Sequence, residues 1–291
     1  MEQLPLDIVR CLPIQPTKIL YKRNGFQIFD KFNDSYFLCI WKKDKRLQYE
    51  ELSKYEFIEK FIYEKRINDK FYVLFKNSNH PSEKNSIIKS IIPKFEKLFD
   101  NYKFTLELKH EYGVSLTNLY KVLDSRFTYF EIRIREIELA IKKYDYMWLF
   151  LSKYYIILDT KIILYDLQKD IFDLIDKKVN VEYGLVCKLN DIEIIKNGLI
   201  KPISEFYYAP ISTYYARLYL LSNDEYVIKY IKKKLSNSFD FYKKHFCFYV
   251  LYIYILNINI NDVLSYNSLG AYLSILRQIN FFLEEFKNFY R

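Results

Sequence analysis

Glycine and proline are scarce, at 5 and 7 of 291 residues. Few positions are left for the glycine-built loops that wrap phosphate groups, and long regular elements should dominate over open loops. The four cysteines, Cys11, Cys39, Cys187 and Cys247, stand far apart with no C-x-x-C pair. Each lies in or beside an apolar run that suits a small buried hydrophobe, which predicts free thiols in a reducing compartment. His80, His110 and His245 are the only histidines, each isolated from any carboxylate or cysteine at ligand spacing. A zinc site or a histidine-based triad therefore has little support. No G-x-S-x-G elbow, Walker loop, dinucleotide fingerprint or H-E-x-x-H occurs, and the acidic residues are too dispersed to single out a pair for acid and base work. No run reaches the roughly 20 apolar residues that cross a bilayer. The most apolar, Phe246 to Leu256, reads as a buried helix, and Glu2 and Asp7 stand where a signal peptide needs positive charge. A cytoplasmic protein with no metal, no membrane span and no nucleic-acid partner is the expectation.

What the chain does have is apolar and aromatic bulk. Hydrophobic residues make up 51% and aromatics 19%, with 30 Tyr and 24 Phe, enough to bury a large core in one unit or two smaller ones. The net charge of +9 raises the question of an acidic partner. However, Lys, Asn, Ile, Tyr and Phe are inflated together, as in an A+T-rich coding sequence, and the basic residues are spread along the chain. The densest clusters, Lys42 to Arg46 and Lys232 to Lys234, lie beside acidic or apolar residues, the pattern of a solvated face rather than a nucleic-acid stripe.

From Ile19 the sequence reads as a meander. Arg23-Asn24-Gly25 separates Ile19-Leu20-Tyr21 from Phe26-Gln27-Ile28-Phe29, and Asn-Gly supplies the positive φ of a tight turn. A second turn at Asn33-Asp34-Ser35 leads into the apolar strand Tyr36 to Trp41. Leu52, Tyr55, Ile58 and Ile62 at helical spacing predict a helix over Leu47 to Lys65, followed by a strand at Phe71 to Phe75. The expected order is strand, strand, strand, helix, strand. Asn77 to Glu83 is the strongest breaker cluster and the candidate lobe boundary, dividing a β-rich 1–78 from a mainly helical 79–291.

Beyond it come a segment at Ile87 to Phe99 and a short strand at Phe104 to Leu108. A long helix capped by Ser115 then runs to about Tyr144. Its stripe Leu116, Tyr120, Leu123, Phe127, Phe130, Ile134, Ile137 and Ile141 alternates four and three, with Glu131/Arg135 and Glu138/Lys142 as supporting pairs. A homodimer through this 116–141 helix is the sharper reading. A helix packed within its own lobe is favoured, since Tyr and Phe are poor residues for a zipper seam. Tyr146 to Leu158 and Lys161 to Ile175 read as two further helices. Gly184 to Cys187 is strand-like, Ile192 to Ile203 is a second Asn-Gly hairpin around Asn197-Gly198, and Leu269, Tyr272, Leu276, Ile279, Leu283, Phe286 and Tyr290 stripe a C-terminal helix.

This order resembles the protein-kinase-like fold, and it implies an α+β, two-lobe architecture. A small N-terminal antiparallel sheet with a helix would precede a larger, mostly helical C-terminal lobe. Within that fold, Leu116 to Arg126, Tyr154 to Leu158 with Leu164-Tyr165, and Tyr183 to Cys187 resemble the aminoglycoside-phosphotransferase branch, and more closely its CotS-type and YutH-type spore coat proteins. The similarity is one of pattern, with no invariant motif kept.

The resemblance implies where catalytic groups would stand. Family enzymes carry H-G-D-x-x-x-x-N, in which Asp serves the acceptor hydroxyl and Asn holds a metal, and then a metal-binding acid after the hairpin. Here the His position is Lys188, the catalytic Asp is Asn190, the metal-binding Asn is Ile195, and the acid falls near Ser204. An amide cannot accept the proton and an isoleucine cannot ligate magnesium. Asp191 or Glu205 could substitute by a one-residue shift. Lys42 follows the strand Tyr36 to Trp41, where a kinase would place its phosphate lysine, and Glu50, Glu51 or Glu56 could be its helix partner, Lys42 and Glu51 forming a vestigial nucleotide site. The competing reading of these residues is ordinary surface charge on a mixed basic and acidic patch. The only glycine between the first two strands is Gly25, in a turn too tight to cover a ligand. The implied function is a catalytically degenerate kinase-like protein, a pseudokinase scaffold whose partners are other proteins, with a spore-coat location if the source organism sporulates. It would need no cofactor. The alternative is a small-molecule phosphotransferase of the aminoglycoside or choline kinase type, using ATP and magnesium through Asp191 and Glu205.

Overall fold

The computed structural model describes residues 4–22, 25–56, 58–76, 84–108, 110–140, 147–187, 195–196, 199–200, 206–259 and 266–290. The chain divides into two compact units, one of residues 1–100 with 187–207, the other of 101–186 with 208–291. The breaker cluster Asn77 to Glu83 lies outside the described residues.

In the first unit, a short helix α1 (Leu6–Cys11) precedes three strands, β1 (Pro16–Lys22), β2 (Gly25–Asp30) and β3 (Ser35–Trp41). Helix α2 (Lys43–Leu52), strands β4 (Tyr63–Ile67) and β5 (Lys70–Lys76), and helix α3 (Lys84–Asn101) follow. The five strands form one antiparallel sheet in the order β1-β2-β3-β5-β4. Because side chains alternate across a strand, β3 and β5 present Tyr36, Leu38, Tyr72 and Leu74 to one face and Cys39, Trp41, Val73 and Phe75 to the other, and all eight are buried. Ile8 and Leu12 cover the first face. On the second, Trp41 packs against Tyr49 of α2, with ring centroids 5.2 Å apart. Burial on both faces is why Tyr36 to Trp41 reads as a continuous apolar run.

The β2–β3 turn is organised by Asp30, which is buried. Its Oδ1 accepts from the backbone N–H of Phe32 and of Asp34, both at 2.9 Å, and Tyr36 donates its hydroxyl to Oδ2 at 3.2 Å. Asn33 takes the left-handed conformation at the tip, φ 62°.

The helix expected over Leu47 to Lys65 is a correction. It begins earlier, at Lys43, and ends at Leu52, and Tyr63 to Ile67 is a strand. Tyr55 and Ile58 continue the helical spacing through a turn in which Ile58 N–H donates to Tyr55 O, while Ile62 is half exposed. The strand is confirmed by its pairing, Ile67 opposite Lys70 across a two-residue loop in which Asn68 has φ 53°.

In the second unit, strands β6 (Phe104–Glu107) and β7 (Asn180–Cys187) pair antiparallel. The helices α4 (His110–Ala140), α5 (Met147–Ser152) and α6 (Tyr154–Asp176) lie between them in sequence. The hairpin β8 (Ile195–Lys196) and β9 (Leu199–Ile200) forms as the Asn-Gly signal predicts, Lys196 opposite Leu199, and belongs with the first unit. Strand β10 (Phe206–Pro210) joins β7 on the side away from β6. Then come α7 (Ile211–Leu221), α8 (Glu225–Ser236), α9 (Asp240–Asn257), α10 (Tyr266–Glu285) and α11 (Lys287–Tyr290). Helix α9 is the hub and is buried at ten positions around its circumference, which fits a helix apolar on all sides. Its Phe246 meets Tyr219, Phe282 and Phe286 edge-on or tilted at 5.0 to 6.3 Å. No described helix is long and apolar enough to cross a membrane.

Three details differ from the sequence expectation. Ser115 lies inside α4, which starts at His110, so it is not the cap. Tyr154 to Asp176 is a single helix. Asp159-Thr160 does not break it because the buried Thr160 hydroxyl donates back to Ile156 O at 2.7 Å. In α10 the buried position is Phe282, with Leu283 only partly covered. A 3.6-residue helix drifts off a strict seven-residue repeat. The α4 stripe from Leu116 to Ile137 is buried within this unit, and Glu131 pairs with Lys161 of α6 at 3.1 Å.

Candidate functional site

Lys42 directly follows β3 and is the N-cap residue of α2, with extended backbone angles of φ −84° and ψ 168°. It is exposed, and so is Glu51. The two stand at opposite ends of the helix, and nine residues at 1.5 Å rise put them about 13 Å apart along its axis. No ion pair joins them.

The cation that does engage α2 carboxylates is Arg46. Its Nη1 lies 2.9 Å from Glu50 and its Nε donates to Glu64 of β4 at 2.7 Å. Its guanidinium also lies over Tyr49 and Phe61, at 5.9 and 5.7 Å from the ring centroids. The pair is half-buried and links helix to sheet, a structural role. The i,i+4 spacing of Arg46 and Glu50 was visible in the sequence, whereas the contact with Glu64 required β4, which helical spacing had concealed.

Around this pair the α2 face of the sheet is filled with aromatic rings. Trp41 contacts Tyr49 and Phe75, and Tyr49 contacts Phe61 at 5.3 Å. Burial raises the pKa of the Tyr49 hydroxyl, which donates to Glu59 O at 3.4 Å. Gln48 of α2, half-buried, donates to Phe206 O at 3.2 Å, and Lys45 lies over the Phe206 ring. These contacts anchor the end of the 187–207 segment to α2 within the first unit.

Of the positions aligned with a catalytic loop, Lys188, Asn190, Asp191, Ser204 and Glu205 lie outside the described residues, and Ile195 opens β8. Among the described residues, Lys42 and Glu51 are the two expected partners, and they stand apart at the two ends of α2. Among the described residues no group of three or more His, Cys, Asp or Glu is arranged to hold a metal ion. His245, the one histidine whose side chain is described, is buried in α9 and shares a 2.9 Å hydrogen bond with Ser212, and burial pushes its pKa down to about 4.

Comparison with solved structures places this architecture. An aminoglycoside phosphotransferase from Alicyclobacillus acidocaldarius subsp. acidocaldarius DSM 446 superposes with a TM-score of 0.57 at 11% identity, over 99% of this chain and 96% of that one. The choline kinase LicA from Streptococcus pneumoniae gives a TM-score of 0.41 at 12% identity, over 91% and 94%. No family model matches the sequence, and no curated protein matches it. At this identity the first structure establishes the fold alone: the chain has the protein-kinase-like fold, a small antiparallel sheet unit followed by a larger, mostly helical part.

Proposed function

We propose that this kinase-like chain does not transfer phosphate and acts as a scaffold through contacts with other proteins. The observation that carries the reading is the position of Lys42. A phosphate lysine works only when a helix carboxylate holds it over the ligand. Here Glu51 is a helix length away, and Glu50 and Glu64 are taken up by Arg46. The sequence supports the same reading, because Asn190 and Ile195 stand where a proton acceptor and a magnesium ligand would be needed. No cofactor is required by this role. The resemblance of Leu116 to Arg126 to the coat-protein branch makes a spore coat the place to look for the protein, if its organism sporulates, and the cytoplasm otherwise.

The test is a thermal-shift titration with ATP, with and without magnesium, since a ligand bound only by the folded state raises the melting temperature by mass action. At millimolar nucleotide no shift is expected. A magnesium-dependent rise would overturn the proposal. It would direct attention to Asp191 and Glu205 as ligands of a small-molecule phosphotransferase, and their replacement by Asn and Gln should then abolish the shift.

A further inference from the structure

An open cavity of about 560 Å³ lies in the helical unit between α5, the first turn of α6 and α10, well inside the size range of small-molecule sites. It shares no residue with α2, β3 or the 188–205 segment, so it stands independently of the scaffold reading. Its floor is apolar, formed by the buried Ile156 and Leu276 and the partly buried Leu273. Tyr155 and Phe281 form its rim and are 52% and 41% exposed. Two cations, Lys153 and Arg277, also line it, and among the described residues neither is engaged by a carboxylate. The lining has one carboxylate, Glu284, two helical turns beyond Arg277 on α10 and so about 10 Å further along that helix.

Apolar walls with two aromatic rings at the mouth favour an apolar body, by removing its surface from water. Two lining cations, neither engaged by a carboxylate among the described residues, favour an anionic head, because a charge-assisted hydrogen bond is about twice as strong as a neutral one. We propose that this groove binds a small apolar anion, an aromatic or medium-chain carboxylate. Its body lies between Tyr155 and Phe281 over Leu273 and Leu276, and its head is held by Lys153 and Arg277.

The probe is 1-anilinonaphthalene-8-sulfonate, an aromatic anion whose fluorescence rises in apolar sites, titrated into the full-length folded protein. Saturable one-site binding is expected, displaced by decanoate and not by decylamine. Arg277→Glu, at an exposed position, should weaken binding at least about tenfold without changing the melting temperature. Leu273→Trp, which fills the cavity, should remove binding. If Leu273→Trp does not fold, Arg277→Glu decides the matter alone. Binding that fails to saturate, that decylamine displaces as well as decanoate, or that Arg277→Glu leaves unchanged would overturn the assignment.

Discussion

His245 places a titratable ring where water does not reach, stacked on Phe241 and within hydrogen-bond distance of Ser212. Its charged form is disfavoured in the folded protein, with a pKa pushed down to about 4 from an ordinary value near 6.5. The unfolded chain therefore binds a proton at higher pH than the folded one, so stability is intact above about pH 6.5 and falls as the pH drops towards 4. Between pH 7 and pH 5 this linkage amounts to roughly 2 kcal/mol. Urea unfolding at the two pH values should show that loss, and His245→Gln, which keeps a hydrogen-bonding group for Ser212, should largely abolish it. Equal pH dependence in both proteins would mean that other groups carry the effect. Gly25 and Gly270 form a second contrast at this scale. Gly25 has φ +153° and a Cβ added there would lie 2.2 Å from Leu38 O, whereas a Cβ at Gly270 in α10 meets nothing within 4 Å. Gly25→Ala should cost roughly 2 kcal/mol or more. Gly270→Ala should stabilise by about 1 kcal/mol through helix propensity. Denaturation midpoints moving in opposite directions would bear this out, and two shifts of the same sign would refute it.

At the scale of elements, signals lying within a few residues were readable and signals depending on a distant partner were not. The Asn-Gly pairs located the turns between β1 and β2 and between β8 and β9, and the apolar run of β3 announced a strand buried on both faces. The α4 stripe was legible because seven regularly spaced positions from Leu116 to Ile137 are all buried in one unit. Strand β4 was hidden because Leu52, Tyr55 and Ile58 mimic a helix through a hydrogen-bonded turn, and only its pairing with β5 defines it. The candidate site was legible only as residue types. Lys42 and Glu51 were found, but whether they meet depends on where α2 begins, and moving its start from Leu47 to Lys43 placed them at opposite ends. Asp30 gave no sign of its role, since a buried carboxylate accepting two backbone N–H groups is a property of the finished turn.

At the scale of the whole molecule, part of the positive charge among the described residues is held in local ion pairs. Lys76 pairs with Asp34, Lys161 with Glu131, Lys232 with Glu285 and Lys244 with Asp170, so both units contribute separate pairs, in keeping with basic residues spread along the sequence. Retention on heparin should accordingly be weak and end below about 0.2 M salt. Elution well above that, with a steep salt dependence of duplex DNA binding, would reveal a basic surface after all. The division of the chain has a further consequence. The first unit contains residues 1–100 together with 187–207, and the hydrogen bond from Gln48 to Phe206 O ties its two pieces across 158 positions. During synthesis the β1–β2–β3 meander can form as soon as it emerges, because its contacts are local. The unit itself stays unfinished until the ribosome has passed Phe206, by which time α4, α5 and α6 have been made. The first unit is thus closed only after the first half of the second unit, residues 101–186, has been made between its two pieces.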